Sequence, residues 1–67
     1  MKPVQSSHVH SIGYDEDKQE LHVRYATGKT YAYEGVSQDE HDDLMGASSI
    51  GSHLHNEIKP RFAGRVV

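Results

Sequence analysis

Leu21-His22-Val23-Arg24-Tyr25-Ala26-Thr27-Gly28-Lys29-Thr30-Tyr31-Ala32-Tyr33 reads as a β-hairpin, two runs of alternating β-formers around a turn that ends on glycine. Residues directly opposite in an antiparallel pair share one side of the sheet, so the number of loop residues decides where the tyrosines point. Ala26-Thr27-Gly28 fits a three-residue loop, a type I turn closed by a left-handed glycine in a G1 bulge. Lys29 then opposes Tyr25, Tyr31 opposes Val23 and Tyr33 opposes Leu21. That puts Leu21, Val23, Tyr25, Tyr31 and Tyr33 on one apolar face, with His22, Arg24, Thr30 and Ala32 on the other. A two-residue loop at Thr27-Gly28 reverses the parity and sets Tyr31 against Arg24 and Tyr33 against His22 on an exposed basic, aromatic face. The three-residue loop is preferred, because it leaves one face apolar and one polar, as a one-sided antiparallel sheet requires.

Ahead of the hairpin, strand character runs from His8 through Val9, Ile12 and Tyr14. Val9 and Ile12 are three apart, which in a regular strand puts them on opposite faces; either a bulge between them brings both to the core, the preferred reading, or Val9 sits outside it. Asp15 to Lys18 is a polar turn, and Met1 to Ser7 reads as a flexible arm. After the hairpin, Gly35-Val36 breaks the strand and Ser37 with Glu40 forms a capping box for a helix from about Gln38 to Gly46. His41, Leu44 and Met45 are its inward stripe. Ser48 or Ser49 caps a second helix in which Ile50, Leu54 and Ile58 recur every four residues. Lys59-Pro60 ends it, because a residue before proline is disfavoured in the helical region. Phe62 folds back as a last core contact, and residues 63–67 read as a loose tail. The expectation is an α+β fold in one domain over residues 1–67: a three-stranded antiparallel meander followed by two short helices on one face.

A chain of 67 residues, 34% of them apolar, has room for one domain and a small core. With no cysteine, neither a disulfide framework nor a thiolate metal site staples it. There is no apolar leader and no stretch of membrane length, so a soluble, cytoplasmic protein with no membrane partner is expected. The net charge of −3 argues against a general polyanion binder. It is unevenly placed: all ten acidic side chains precede Lys59, whereas three of the seven basic ones, Lys59, Arg61 and Arg65, fall in the last nine residues.

Four stretches carry a resemblance: Ser7-x-x-x-x-Ile12-Gly13-Tyr14-Asp15; Leu21-x-Val23-x-Tyr25-x-x-Gly28-x-x-Tyr31-x-Tyr33-x-x-Val36; Leu44-x-x-Ala47-x-Ser49-x-Gly51; and Ile58-Lys59-x-x-Phe62. In order and spacing they resemble the KTSC domain, a small domain found at the C-terminus of some lysyl-tRNA synthetases and also on its own. The central Tyr31-x-Tyr33 corresponds to the family's hallmark. The resemblance implies a non-catalytic binding domain, with RNA as the ligand suggested by the attachment to a synthetase; it does not imply aminoacylation, for which this length has no room. The chain departs from the family where aromatic residues are usual, at His41, His53 and Leu54, and carries His55 in place of an asparagine.

An RNA site needs cations to follow the backbone and exposed rings on which bases stack. The candidates are Arg24 and Lys29 on or beside the hairpin, Lys59 and Arg61 after the second helix, and Tyr31 and Tyr33 under the alternative parity. The competing reading is a protein-interaction module, or a homodimer, acting through a sheet edge or the acidic first helix.

Six histidines, at 8, 10, 22, 41, 53 and 55, raise the question of a metal. None is paired at the four-residue spacing zinc favours on a helix, and His53 and His55 diverge by about 200° in one. No metal and no cofactor is expected. Asp42-Asp43 beside His41 supplies acids and a base, but adjacent helical residues point about 100° apart. Gly46 to Gly51 lacks the lysine of a phosphate loop. No enzymatic activity and no small-molecule substrate is expected.

Overall fold

The computed structural model describes residues 1–67. Its centre is the hairpin, in the three-residue parity. The Gly28 N–H donates to the Tyr25 carbonyl at 2.9 Å, the Tyr25 N–H donates to the Lys29 carbonyl at 2.8 Å, and Gly28 sits at φ +94°. A Cβ is disfavoured at that angle, which is why the turn ends on glycine. Strands β3 (Glu20–Tyr25) and β4 (Thr30–Glu34) therefore pair Leu21 with Tyr33 and Val23 with Tyr31.

Strand β2 (Val9–Asp15) pairs with β3, and its register slips between Val9 and Ser11. The extra residue turns Val9 and Ile12 to the same face, and both are buried. The turn after β2 is held by the Asp15 carboxylate, which accepts the N–H groups of Asp17 and Lys18 at 3.1 and 3.2 Å.

The sheet has five strands, in order β1-β2-β3-β4-β5, not the three expected. The segment read as a flexible arm contributes β1 (Lys2–Pro3) on the outer side of β2, and the segment read as a loose tail contributes β5 (Gly64–Val66) beside β4. Two- and three-residue strands carry too few positions to show alternation, and proline, which cannot donate to a ladder, is at home only on an edge.

Helix α1 (Gln38–Met45) starts on Ser37, whose Oγ accepts the Glu40 N–H at 3.3 Å. Half of the expected capping box is thus present. The Glu40 carboxylate turns instead to the Arg61 guanidinium, in a forked pair at 2.8 and 3.4 Å. Helix α2 (Ile50–His53) starts on Ser49 and widens into a π-helical turn at Leu54–Ile58, closed by the Lys59 N–H on the Leu54 carbonyl at 2.8 Å. Lys59 keeps helical angles (φ −56°, ψ −43°) although Pro60 follows it. The helix therefore ends because Pro60 has no N–H to offer, not because Lys59 is driven out of the helical region.

Val9, Ile12, Leu21, Val23, Tyr33, Val36, Leu44, Leu54 and Ile58 form the core, with Phe62 packed at its margin. Truncating one such side chain, Leu54 to alanine for example, costs about 2–5 kcal/mol, against roughly 3–10 kcal/mol in all for a chain this short. The opposite face is not simply solvated. Ala32 is fully buried there between His22 and Arg65, its neighbours across the ladders.

Candidate nucleic-acid interface

The helical cover does not reach across the whole apolar face. Nine residues from Ile50 to Ile58 span about 13 Å, whereas the strands run about 20 Å and lie five abreast. At the hairpin end an open groove of about 890 Å³ remains between the sheet and the last helix.

The groove is aromatic on the sheet side. Tyr25 and Tyr31 meet edge to face with centroids 5.6 Å apart, and Tyr31 and Tyr33 lie nearly parallel at 6.2 Å. Tyr33 is buried to 4% exposure, while Tyr25 and Tyr31 are half-buried. The hydroxyls of Tyr25 and Tyr33 share a 2.7 Å hydrogen bond. Burial first, and that hydrogen bond second, push the Tyr25 phenol well above its ordinary value, so it stays protonated. The choice posed by the sequence, core or surface, resolves into both: these tyrosines stand on the Leu21 and Val23 face, at the end the helices leave open.

The rim is cationic. Lys29 approaches from the turn and Lys59 from the helix, its Nζ 5.2 Å from the Tyr25 ring centroid. Neither lysine has a carboxylate partner, and none of the ten acidic side chains lines the groove. His8, His55 and Asn56 complete its polar lining.

The remaining candidates lie elsewhere. Arg24 is exposed on the opposite face, across from Ser11 and Thr30. Arg61 is held by Glu40 on α1. Lys29, Lys59, Tyr31 and Tyr33 are brought together; Arg24 and Arg61 are not among them. Sequence reasoning passed over Tyr25, His8 and His55 as binding residues. Tyr25 had a signal, being the last apolar-face residue before the turn, where cover runs out. His8 and His55 are distant in sequence and nothing local links them.

Of the other four histidines, three have a polar or aromatic partner and one, His53, has its Nε2 buried without a hydrogen-bond partner. His22 Nε2 is 3.3 Å from Glu20, His41 stacks on Tyr14 with centroids 4.8 Å apart, and His10 Nδ1 is 3.1 Å from Ser11 Oγ. No three His, Asp or Glu side chains gather as a metal-ligating set. No helix is long and apolar enough to cross a membrane.

The chain is similar to known proteins over most of its length. It is 42% identical over 62 residues to a protein of Tsukamurella paurometabola, covering 92% of each, and 38% identical over 58 residues to an uncharacterized protein of Stutzerimonas stutzeri, covering 87% of this chain and 82% of the other. The crystal structure of a KTSC domain protein from Yersinia pestis superposes with a TM-score of 0.94 at 38% identity, over 98% of this chain and 93% of that one. The KTSC domain model itself matches residues 5–62, which takes in all of β2 to β4, both helices and Phe62. With the hairpin, the paired tyrosines and the helical cover all in that matched span, the chain belongs to the KTSC domain family.

Proposed function

We propose that this KTSC domain is a non-catalytic RNA-binding accessory module that takes unpaired nucleotides into the groove beside Tyr25, Tyr31 and Tyr33. The observation that carries this reading is the segregation of charge. A chain with net charge −3 keeps all ten carboxylates out of one aromatic groove and leaves two unpaired lysines at its rim. A base stacked on a tyrosine ring contributes about 1–3 kcal/mol, and each lysine neutralises a phosphate. The alternative, docking of a protein or a second copy through a sheet edge or α1, has less to draw on. The edges are strands of two and three residues, one carrying Pro3, and Glu40 on α1 is already engaged by Arg61.

A salt titration of binding to a short fluorescent single-stranded RNA tests the proposal. Two phosphate contacts on a single strand give a slope of log K against log salt of about −1.4. The expected result is micromolar affinity with that slope for the wild type, and a slope near zero with weakened binding for Lys29→Ala/Lys59→Ala. Absence of binding at about 50 mM salt, where electrostatic association is strong, overturns the proposal and makes a protein partner the working reading.

A further inference from the structure

We infer that the groove is built for a terminal phosphate, the phosphomonoester of a nucleotide at a strand end or of a free mononucleotide, and not for the middle of a passing strand. The inference rests on the RNA reading of the same groove and narrows it.

Three observations carry it. Two of the seven cations share the groove and the others do not extend it into a track: Lys29 and Lys59 line one concavity with His8 and His55, whereas Arg24 is on the opposite face, Arg61 and Arg65 are tied to carboxylates, and Lys2 and Lys18 do not line it. A strand continuing out of the groove runs onto surface that carries all ten acidic side chains. A volume of about 890 Å³ is that of a small-ligand site, commonly about 300–1,000 Å³, and not of the extended channels that hold several nucleotides. A phosphomonoester carries close to two negative charges near neutrality, about twice that of an internal phosphodiester. Two lysines lining one groove, with no carboxylate among its walls, match the former. The base beyond the phosphate then lies against Tyr31, whose ring is half-buried at the groove wall.

The test is fluorescence anisotropy of three pentauridylates, labelled at the end opposite the varied group: 5′-phosphorylated, 3′-phosphorylated and hydroxyl-ended. Uridine monophosphate is titrated separately against the tyrosine ring signals in NMR. One phosphorylated strand is expected to bind about tenfold tighter than the hydroxyl-ended one, the scale of one added charge-assisted contact. That advantage should vanish in Lys59→Ala and in Lys29→Ala, both substitutions of exposed side chains. Equal binding of all three strands overturns the inference and leaves the RNA module standing. Binding of the mononucleotide alone upholds the inference, makes free nucleotides the source and removes the RNA module. No binding of any probe overturns both.

Discussion

A Cβ built on Gly64 would stand 2.6 Å from Cε1 and 2.9 Å from Cδ1 of Tyr33, the residue directly opposite it where β5 joins β4. The aromatic ring lies over the bare glycine backbone, a cross-strand arrangement that lets β5 approach. The ring cannot swing clear, because Tyr33 is 4% exposed and its hydroxyl is bonded to Tyr25. Gly64→Ala is therefore expected to cost about 1–3 kcal/mol, the range for overpacking. Urea denaturation measures it; a change below about 0.5 kcal/mol, ordinary for a surface position, would show that β5 is not seated on this ring.

The hydroxyl pair of Tyr25 and Tyr33 predicts an alkaline limit. The folded-state pKa of Tyr25 is raised above its reference value of 10.0, chiefly by burial and next by the Tyr33 hydrogen bond. A raised pKa stabilises the fold fully below pH 10, and this stabilisation is lost as the pH climbs toward the folded value. Absorbance titration should find one phenol ionising last, and its pKa should fall in Tyr33→Phe. That variant should also lose about 0.5–1.5 kcal/mol, the net worth of one hydrogen bond. A Tyr25 phenol that titrates at about 10, like an exposed one, would remove the argument.

Much of this architecture is legible from local chemistry. The need for one apolar face favours the three-residue loop and its parity, the three-residue spacing of Val9 and Ile12 favours the bulge, and Ser37 and one of Ser48 and Ser49 mark the helix starts. β1 and β5 are not legible in this way. Their ladders are two and three residues long, and the requirement for glycine at position 64 exists only once Tyr33 is known to face it. The groove escapes for a related reason. Whether a tyrosine on the apolar face is core or wall depends on how far the helix roofing it extends, and that is a property of the assembled layers. Among the cations, opposite neighbours in the ladder put Arg24 outside in either parity, but only the folded chain brings Lys59 to Tyr25.

The C-terminal strand is latched on the opposite face by Arg65, whose guanidinium lies 3.0 Å from Glu20 and 3.4 Å from Glu34. The hydrogen bond from Arg65, and then that from His22, lower the pKa of Glu20 below its reference value of 4.5. A lowered carboxylate pKa contributes stability above pH 4.5 that is lost as the pH falls through the folded value. The protection factor of the Val67 amide, which donates to the Thr30 carbonyl, should fall in that acidic window when its exchange is referred to the intrinsic rate at each pH. The same loss of protection should appear at neutral pH in Glu20→Gln, and more weakly at high salt, since the pair is solvent-facing. Protection unchanged in both would mean that backbone pairing alone holds β5.

Arg24 and Lys59 separate the geometry from the sequence pattern, since both are basic and the sequence offers both as candidates for one site, yet they stand on opposite sides of the sheet. If the groove is the binding site, Lys59→Ala should weaken RNA binding about three- to tenfold at roughly 50 mM salt and flatten the salt slope by about 0.7, the contribution of one phosphate contact on a single strand. Arg24→Ala should stay within about twofold of the wild type with its slope intact, because the long-range attraction of one exposed charge is screened beyond about 10 Å at ordinary ionic strength. The reverse ranking would move the interface to the His22 and Arg24 face and take the tyrosines out of it.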